Sequence, residues 1–243
     1  MQTERIKQLN AKASGLDASG IIKLAFDEFS SKVTFATSLG EEDQVITDMI
    51  SKIAPGIEIF TLDTGRLFAE TYELMARNQK KYSKLNFKFY YPDTKHVEEM
   101  VAAKGINLFY ESVENRKLCC HVRKVEPLQR ALAGKDAWIT GLRRQQSVSR
   151  VDDQSIEWDG ANNKLKINPL INWSLEQVHD YIKKHQVDVN PLHGRGFISI
   201  GCAPCTRAVQ PGEDIRAGRW WWEEPQQKEC GLHNNLKWKA NKK

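Results

Sequence analysis

The fold is decided by two stretches of the sequence, residues 33–43 (VTFATSLGEED) and residues 57–66 (IEIFTLDTGR). Each begins with β-branched and aromatic residues, the composition typical of a buried strand. Each then passes through small and polar residues into a region with the apolar spacing of an amphipathic helix. Strands that alternate in this way with helices are typical of an α/β protein, in which crossover helices connect the strands of a parallel sheet.

Working outward, the same patterns predict further elements on both sides. Predicted helices are 4–13, 18–30, 94–104, 122–133 and 174–186, and predicted strands include 86–91 and 137–140. A loop is expected between the helix at 94–104 and the cysteine pair that follows, and 155–171 reads as an antiparallel excursion. Ser174, with Gln177 three residues later, predicts a capping box. We predict one domain over residues 1–225 and a mobile C-terminal tail over residues 226–243.

Composition and charge narrow the function classes. The net charge of +5 suits anionic small molecules and does not by itself argue for nucleic acid. No run approaches the roughly 18–20 apolar residues of a membrane span, and the N-terminus lacks the apolar segment of a signal peptide. We therefore expect a cytoplasmic protein without a membrane partner. Because the cytoplasm keeps thiols reduced, the five cysteines of the chain predict a metal site and a catalytic thiol in preference to disulfides.

Four of the cysteines form two pairs, Cys119-Cys120 and the CxxC of Cys202 and Cys205. Four thiolates are the usual ligands of a structural zinc ion or an iron–sulfur cluster. Adjacent cysteines point in divergent directions, which favours a polynuclear cluster, although zinc and unliganded thiols remain alternatives. The fifth, Cys230, is left over for chemistry. Lys228 and His233 flank it, and their positive charge would lower the pKa of its thiol.

Candidate anion-binding groups lie in the loops that follow the predicted strands. Ser38 and Gly40 suit a phosphate-binding turn at a helix N-terminus, or else Gly40 serves only the geometry of a tight turn. Asp63, Thr64 and Gly65 lie where α/β sheets bind ligands, unless Asp63 merely caps the next helix. The predicted loops also carry arginines whose guanidinium groups could bind phosphate or sulfate. These are Arg143, Arg144, Arg150, Arg207, Arg216 and Arg219.

At this point the sequence closely resembles the assimilatory adenylyl-sulfate (APS) reductases, the cluster-containing branch of the phosphoadenylyl-sulfate reductase family. The resemblance covers nearly the whole chain. It rests on LDTGR at 62–66, CCxxxKVEP at 119–127, TGLRRQQS at 140–147, CAPCTR at 202–207, GEDIRAGRWWW at 212–222 and ECGLH at 229–233. The chain departs from the commoner form of the first loop, because Leu39 and Glu41 replace smaller residues.

The resemblance implies a Rossmann-like fold of the adenine nucleotide α-hydrolase type, with a nucleotide-binding reductase domain that holds a [4Fe–4S] cluster on Cys119, Cys120, Cys202 and Cys205. It implies reduction of APS to sulfite and AMP, with thioredoxin as electron donor and Cys230 as the nucleophile. The implied contacts to the phosphosulfate or the thiol are Lys124, Arg150, Arg216, Arg219 and His233. The implied nucleotide crevice comprises Ser38, Gly40, Asp63, Thr64, Gly65, Gly141 and Arg143.

Two alternatives stay open on the sequence alone. One is a relative that acts on the 3′-phosphorylated nucleotide PAPS, and the paired cysteines argue against it. The other is a non-catalytic iron–sulfur or zinc protein that senses nucleotide, and the placement of Cys230 argues against it. The sequence leaves homo-oligomerisation open.

Overall fold

The structure, a computed structural model, describes residues 2–146 and 154–224. The helices are α1 (Gln2–Ala13), α2 (Ala18–Phe29), α3 (Glu41–Ile53), α4 (Ala69–Lys81), α5 (Thr94–Lys104), α6 (Val113–Cys120), α7 (Glu126–Ala131) and α8 (Leu175–His185). The strands are β1 (Val33–Ala36), β2 (Glu58–Leu62), β3 (Phe87–Tyr90), β4 (Ala137–Ile139), β5 (Ile156–Asp159) and β6 (Lys164–Ile167).

The strands form one six-stranded sheet in the order β3-β2-β1-β4-β6-β5. All neighbours are parallel except β5 and β6, which pair antiparallel at one edge. The chain moves outward from β1 to β2 and β3, then returns to the other side of β1 as β4. That reversal creates a switch point between β1 and β4, and in sheets of this kind ligands bind in the crevice beyond the carboxyl ends of the strands there. The predicted α/β class and parallel sheet are confirmed.

Both faces of the sheet are covered, as the near-continuous apolar strands require. Phe35, Ile59 and Ile139 point to the larger core, which α1, α2, α3 and α8 complete. Phe60 and Trp138, one residue out of step, point to the opposite face and pack against α7. The alternation of side chains along each strand therefore serves two cores at once.

Most predicted elements are confirmed, including the helix over 94–104 and the hairpin within 155–171. The capping box of α8 is present, with Ser174 Oγ accepting from the backbone N–H of Gln177 and the Gln177 side chain accepting from that of Ser174. The loop predicted before the cysteine pair is wrong in part, because α6 carries both cysteines in its last turn. Nor is the helix predicted at 122–133 one α-helix: it begins as a π-helix over His121–Val125.

Within the described ranges, the structure contains no helix of the length and apolar character that a bilayer crossing requires.

Candidate active site

The loops after β1 and β4 are joined by the buried carboxylate of Asp43, at the start of α3. Asp43 Oδ2 accepts hydrogen bonds from the backbone N–H of Ser38 (2.5 Å) and the hydroxyl of Ser38 (2.7 Å). Its other oxygen, Oδ1, faces Gly141, and a Cβ atom added at that glycine would lie only 2.1 Å from Oδ1. Gly141 is therefore required by close approach of the backbone to a carboxylate. Burial raises the pKa of Asp43 to about 7, although the hydrogen bonds from Ser38 oppose that rise.

A second carboxylate makes the same connection one residue earlier. Glu42 Oε1 accepts from Arg143 Nε at 2.7 Å, and the Arg143 side chain is 7% exposed. Glu41, also in the first turn of α3, lies 3.2 Å from His179. The first turn of α3 thus carries three acidic residues, which occupy the positive end of the helix dipole.

The predicted phosphate-binding turn at Ser38 and Gly40 therefore has an unexpected environment. Donors of Ser38 that could have faced a phosphate already serve Asp43. Gly40 has an extended backbone (φ −71°, ψ 169°), so the turn does not need glycine there on conformational grounds. The left-handed residue is Leu39 (φ 64°), whose side chain is buried with Leu74 and Met75. That burial offsets the strain, which for a non-glycine residue is about 1–3 kcal/mol.

The loop after β2 carries its polar groups toward a different neighbour. Asp63 does not cap α4: its Oδ1 accepts from the Gly65 N–H (2.8 Å) and from the hydroxyl of Tyr72 (2.8 Å). Gly65 has a left-handed backbone (φ 70°). The Thr64 hydroxyl lies 3.2 Å from Cys202 Sγ, and the Arg66 carbonyl accepts from the backbone N–H of Ala203 at 2.8 Å. The nucleotide crevice predicted from the sequence thus reaches directly to the CxxC loop.

All four paired cysteines line one cavity of about 310 Å³, counting the space open to solvent. Cys119 and Cys120 reach it from α6, and Cys202 and Cys205 from a 3₁₀ turn. The structure thus brings together two pairs that are 82 positions apart (Cys120 to Cys202). The remaining lining residues are Arg66, Phe109, Arg116, Arg123, Lys124 and Pro204.

The cavity is strongly cationic. Lys124 and Arg123 enter it from the π-helix, whose wider turn often marks functional sites. Burial opposes ionisation of Cys202, but Lys124, the Thr64 hydroxyl, Arg219 and Arg123 together outweigh it, so that the pKa of Cys202 is lowered. Burial and the neighbouring Cys202 raise the pKa of Cys205 to about 12. One thiol of the CxxC is thus favoured as a thiolate before the other.

Arg219 approaches the same cysteines from the C-terminal segment. Its positive charge favours the thiolate forms of Cys202 and Cys205 and so acts to lower the pKa of each. Burial acts in the opposite direction and is the largest single influence on each thiol. A Cβ atom added at Gly201 would lie 2.5 Å from the Arg219 guanidinium, so a larger residue there would displace that guanidinium. Arg219 Nη1 also donates to Ser199 Oγ at 3.3 Å.

The donors around the cavity fit an anionic group held by four cysteines. The Nε atoms of Arg123 and Arg219 are buried without a hydrogen-bond partner among the described residues. In residues 2–146 and 154–224, no three His, Cys, Asp or Glu side chains are grouped so as to hold a metal ion. The four thiols instead line the cavity described above. A polynuclear iron–sulfur cluster on Cys119, Cys120, Cys202 and Cys205 matches this donor set and this charge.

Within the described ranges, the predicted site residues thus fall into two groups, with Arg216 apart from both. Lys124, Arg219, Thr64 and Gly65 lie around the cysteine cavity, whereas Ser38, Gly40, Gly141 and Arg143 lie at the switch point. Arg216 lies half-buried in the turn before Arg219, with its backbone N–H donating to Asp214. Arg150, Cys230 and His233 are outside the described residues, as is the predicted tail over 226–243.

Sequence reasoning missed several residues of this region. Arg123 lies beside the cavity and donates to the Thr64 carbonyl at 2.7 Å. Asp43 and Glu42 follow the predicted phosphate-binding turn at Ser38 and Gly40, and no separate role was predicted for either. A usable signal was present, because three acids in succession at a helix N-terminus are unfavourable for a bound phosphate.

Together the fold and site define a class: a Rossmann-like α/β protein in which a cysteine-lined cationic cavity adjoins the crevice predicted to bind a nucleotide. Comparison with known proteins agrees with this class. Residues 32–208 match the phosphoadenosine phosphosulfate reductase domain. This chain therefore belongs to the phosphoadenosine phosphosulfate reductase family.

Curated relatives and a solved structure refine the comparison. The chain is 53% identical over 201 residues to an adenosine 5′-phosphosulfate reductase of Allochromatium vinosum, covering 83% of this chain and 78% of the relative. It is 50% identical over 226 residues to a protein of that name from Burkholderia cepacia, covering 93% and 89%. The phosphate complex of the PAPS reductase of Candida auris superimposes with a TM-score of 0.72 at 31% identity, covering 85% of this chain and 97% of that one.

Proposed function

We propose that this protein is an adenosine 5′-phosphosulfate reductase of sulfate assimilation, which reduces APS to sulfite and AMP with electrons from thioredoxin. A [4Fe–4S] cluster is proposed on Cys119, Cys120, Cys202 and Cys205, and Cys230 is proposed as the nucleophile. The curated relatives near 50% identity carry this name over most of their length, which supports the substrate.

The observation that carries the proposal is the contact between the two halves of the site. Thr64, from the loop after β2, contacts Cys202, which with Cys205 lines the cationic cavity. A nucleotide in the crevice would therefore extend its anionic end toward Lys124 and Arg219. Neutral adenosine would lie nearer the acidic first turn of α3, where a phosphate would be repelled.

The reaction requires a thiolate to approach a sulfur atom shielded by negative oxygens. Lys124 and Arg219 would offset that repulsion and stabilise the phosphate oxygen as it leaves. The cluster, when bound, supplies a fixed local charge and a rigid mount for its ligands.

Electrons and atoms balance over three steps. Attack by Cys230 forms a sulfur–sulfur bond and breaks the sulfur–oxygen bond of the anhydride, which releases AMP and leaves Cys230 as a thiosulfonate. A thioredoxin thiolate then attacks the Cys230 sulfur and releases sulfite. The second thioredoxin thiol resolves the mixed disulfide, so thioredoxin is oxidised by two electrons and Cys230 is regenerated.

The decisive experiment substitutes Cys230→Ser in the full chain purified anaerobically. We expect turnover to fall more than about 10³-fold, because the hydroxyl is a far weaker nucleophile, while AMP binding, iron content and absorbance near 400 nm persist. Retained activity would disprove the role of Cys230.

Two further measurements separate the alternatives. Comparable or faster turnover of PAPS than of APS would favour the 3′-phosphorylated substrate. Tight nucleotide binding without sulfite release by the unmodified protein would favour a sensor. A colourless, iron-free protein with full activity would remove the cluster from the proposal.

A further inference from the structure

A buried ion pair fastens the C-terminal segment to the helix that carries the first cysteine pair. Arg116, on α6 three residues before Cys119, donates from Nε to Glu223 Oε1 (2.9 Å) and from Nη2 to Glu223 Oε2 (2.8 Å). The two side chains are 1% and 3% exposed. Two parallel hydrogen bonds between planar groups fix both distance and orientation.

Trp220 reinforces this attachment. Two guanidinium groups lie over its ring, with the Cζ atoms of Arg116 and Arg219 each 4.7 Å from the ring centroid. The Trp220 backbone N–H donates to the Cys205 carbonyl at 3.2 Å, and its side chain is 1% exposed. The segment from Arg219 to Glu223 is thereby tied to both elements that carry the paired cysteines.

Stability alone does not account for this arrangement. A buried ion pair contributes little or nothing relative to apolar side chains of similar volume, because both charges must be desolvated. What the pair provides is a defined geometry. Arg116 lines the cysteine cavity, so the geometry that it imposes on Glu223 is set relative to that cavity.

The position of Glu223 in the sequence gives that geometry a consequence. Cys230 lies seven residues further on, so a fully extended chain would place it at most about 25 Å from Glu223. A fixed origin therefore limits the thiol to positions within about 25 Å of Glu223, which raises its effective concentration at the cavity relative to an unanchored chain.

We infer that Glu223 and Arg116 are positioning residues for the Cys230 thiol. Their buried pair holds Glu223, from which the chain continues to Cys230, beside the cysteine-lined cavity. The inference rests on the proposed function, in which Cys230 is the nucleophile. It adds a device that acts on the reach of the thiol and touches neither substrate nor reacting atoms.

The test measures formation of the Cys230 thiosulfonate in a single turnover with APS, without thioredoxin, by rapid quench and mass spectrometry. Glu223→Gln replaces the carboxylate of the buried pair with a neutral amide, which weakens the bidentate contact to Arg116 and loosens the anchor. We expect adduct formation to slow about tenfold or more, with the affinity for AMP and the iron content unchanged.

Glu213→Gln is the matched control, because it breaks another bidentate arginine–glutamate pair ten residues earlier in the chain. Glu213 accepts from Arg207 at 2.7 and 2.8 Å, but both side chains are about one-third exposed. We expect wild-type adduct formation in this variant. If Glu213→Gln slows the step as much as Glu223→Gln does, the effect is not specific to the buried pair and the inference fails.

A second pair of variants covers the case in which Glu223→Gln does not fold. Glu223→Asp keeps the charge but shortens the side chain by one methylene, and we expect it to slow adduct formation less than Glu223→Gln. Six Gly and Ser residues inserted after Glu224 leave the described structure intact and should slow the step about threefold by lengthening the tether. The insertion combined with Glu223→Asp should slow it by less than the product of the two effects, because both act on one quantity.

The outcomes distinguish this inference from the proposed function. If the unmodified protein forms no adduct on Cys230, the proposed function fails. If it forms the adduct, but folded Glu223→Gln, or Glu223→Asp where the former does not fold, reacts at the wild-type rate, only the positioning role is overturned. Independent, multiplicative effects of Glu223→Asp and the insertion would overturn it as well.

Discussion

Two neighbouring regions at one edge of the sheet have opposite charge. At the switch point between β1 and β4, Glu41, Glu42 and Asp43 stand together, and Asp43 and Glu42 close the two loops through Gly141 and Arg143. Beyond β2, the cysteine cavity gathers Arg66, Arg116, Arg123 and Lys124. The first region satisfies its charges internally, whereas the second keeps buried donors without a partner among the described residues, at Arg123 Nε and Arg219 Nε.

This difference teaches how an elongated ligand would be oriented. A region closed by its own carboxylates suits a neutral, hydrogen-bonding group, and a cationic cavity suits an anion. Adenosine phosphosulfate has one end of each kind. The charge difference between the two regions therefore sets the orientation of the ligand, which neither region would set alone. Three substitutions test this difference.

The largest effect is expected where the cationic region loses a charge. Lys124→Gln should lower kcat/KM for APS about 100-fold, because Lys124 would offset charge that develops as AMP leaves. Steady-state kinetics in the holoenzyme measures it. Lys117→Gln is the control, since Lys117 is exposed on the preceding helix and does not line the cavity. If the Lys124→Gln enzyme were as active as the Lys117→Gln enzyme, the proposed role of the cationic cavity in binding the anionic end of the ligand would be wrong.

The next effect probes how closely the two switch-point loops approach. Gly141→Ala should lower the free energy of unfolding by about 1–3 kcal/mol, because the new Cβ would meet Asp43 Oδ1 at 2.1 Å. Gly40→Ala is the matched glycine. A Cβ there would meet nothing closer than Ser38 Oγ at 3.6 Å, so its stability should be unchanged or slightly raised. Urea denaturation of both variants gives the comparison, and equal losses would show that the closed loops are not the cause.

The effect expected to be smallest, when it is measured above pH 7, is that of removing the ionisable group of Asp43. Asp43→Asn leaves only one accepting oxygen on the side chain, which cannot serve both the Ser38 donors and the Gly141 backbone N–H. Above pH 7 we expect a loss of about 1–2 kcal/mol in the free energy of unfolding.

The pH dependence of that difference has a definite sign. The pKa of Asp43 is raised to about 7 in the folded protein from the ordinary value of 3.8. Between these values the unfolded chain has released the proton that the folded protein retains, so stability falls as pH rises. The slope due to Asp43 is at most about 1.4 kcal/mol per pH unit and vanishes above pH 7. Urea titrations from pH 5 to pH 8 should show this slope in the wild-type protein and its absence in Asp43→Asn. A wild-type protein whose difference from Asp43→Asn does not change with pH would contradict the raised pKa.

Much of this molecule follows from local patterns in the sequence. The strands at Val33 and Glu58 and the capping box at Ser174 depend on residues close together in the chain, and each was predicted. The π-helix after Cys120 was not, because nothing in the sequence of His121–Val125 departs from an ordinary helical pattern. Nor was the parallel pairing of β6 with β4, since register between strands depends on what the rest of the sheet leaves open.

By itself the sequence determined the chemistry that is available: four paired thiols, a fifth thiol apart from them, and polar loops after parallel strands. Only the tertiary structure decided which groups are committed to one another. Asp43 takes the Ser38 donors, Glu42 takes Arg143, and Glu223 takes Arg116, across 5, 101 and 107 positions respectively. The physical reason is that a buried charge must find a partner, and which partner lies within reach is set by how the whole chain packs.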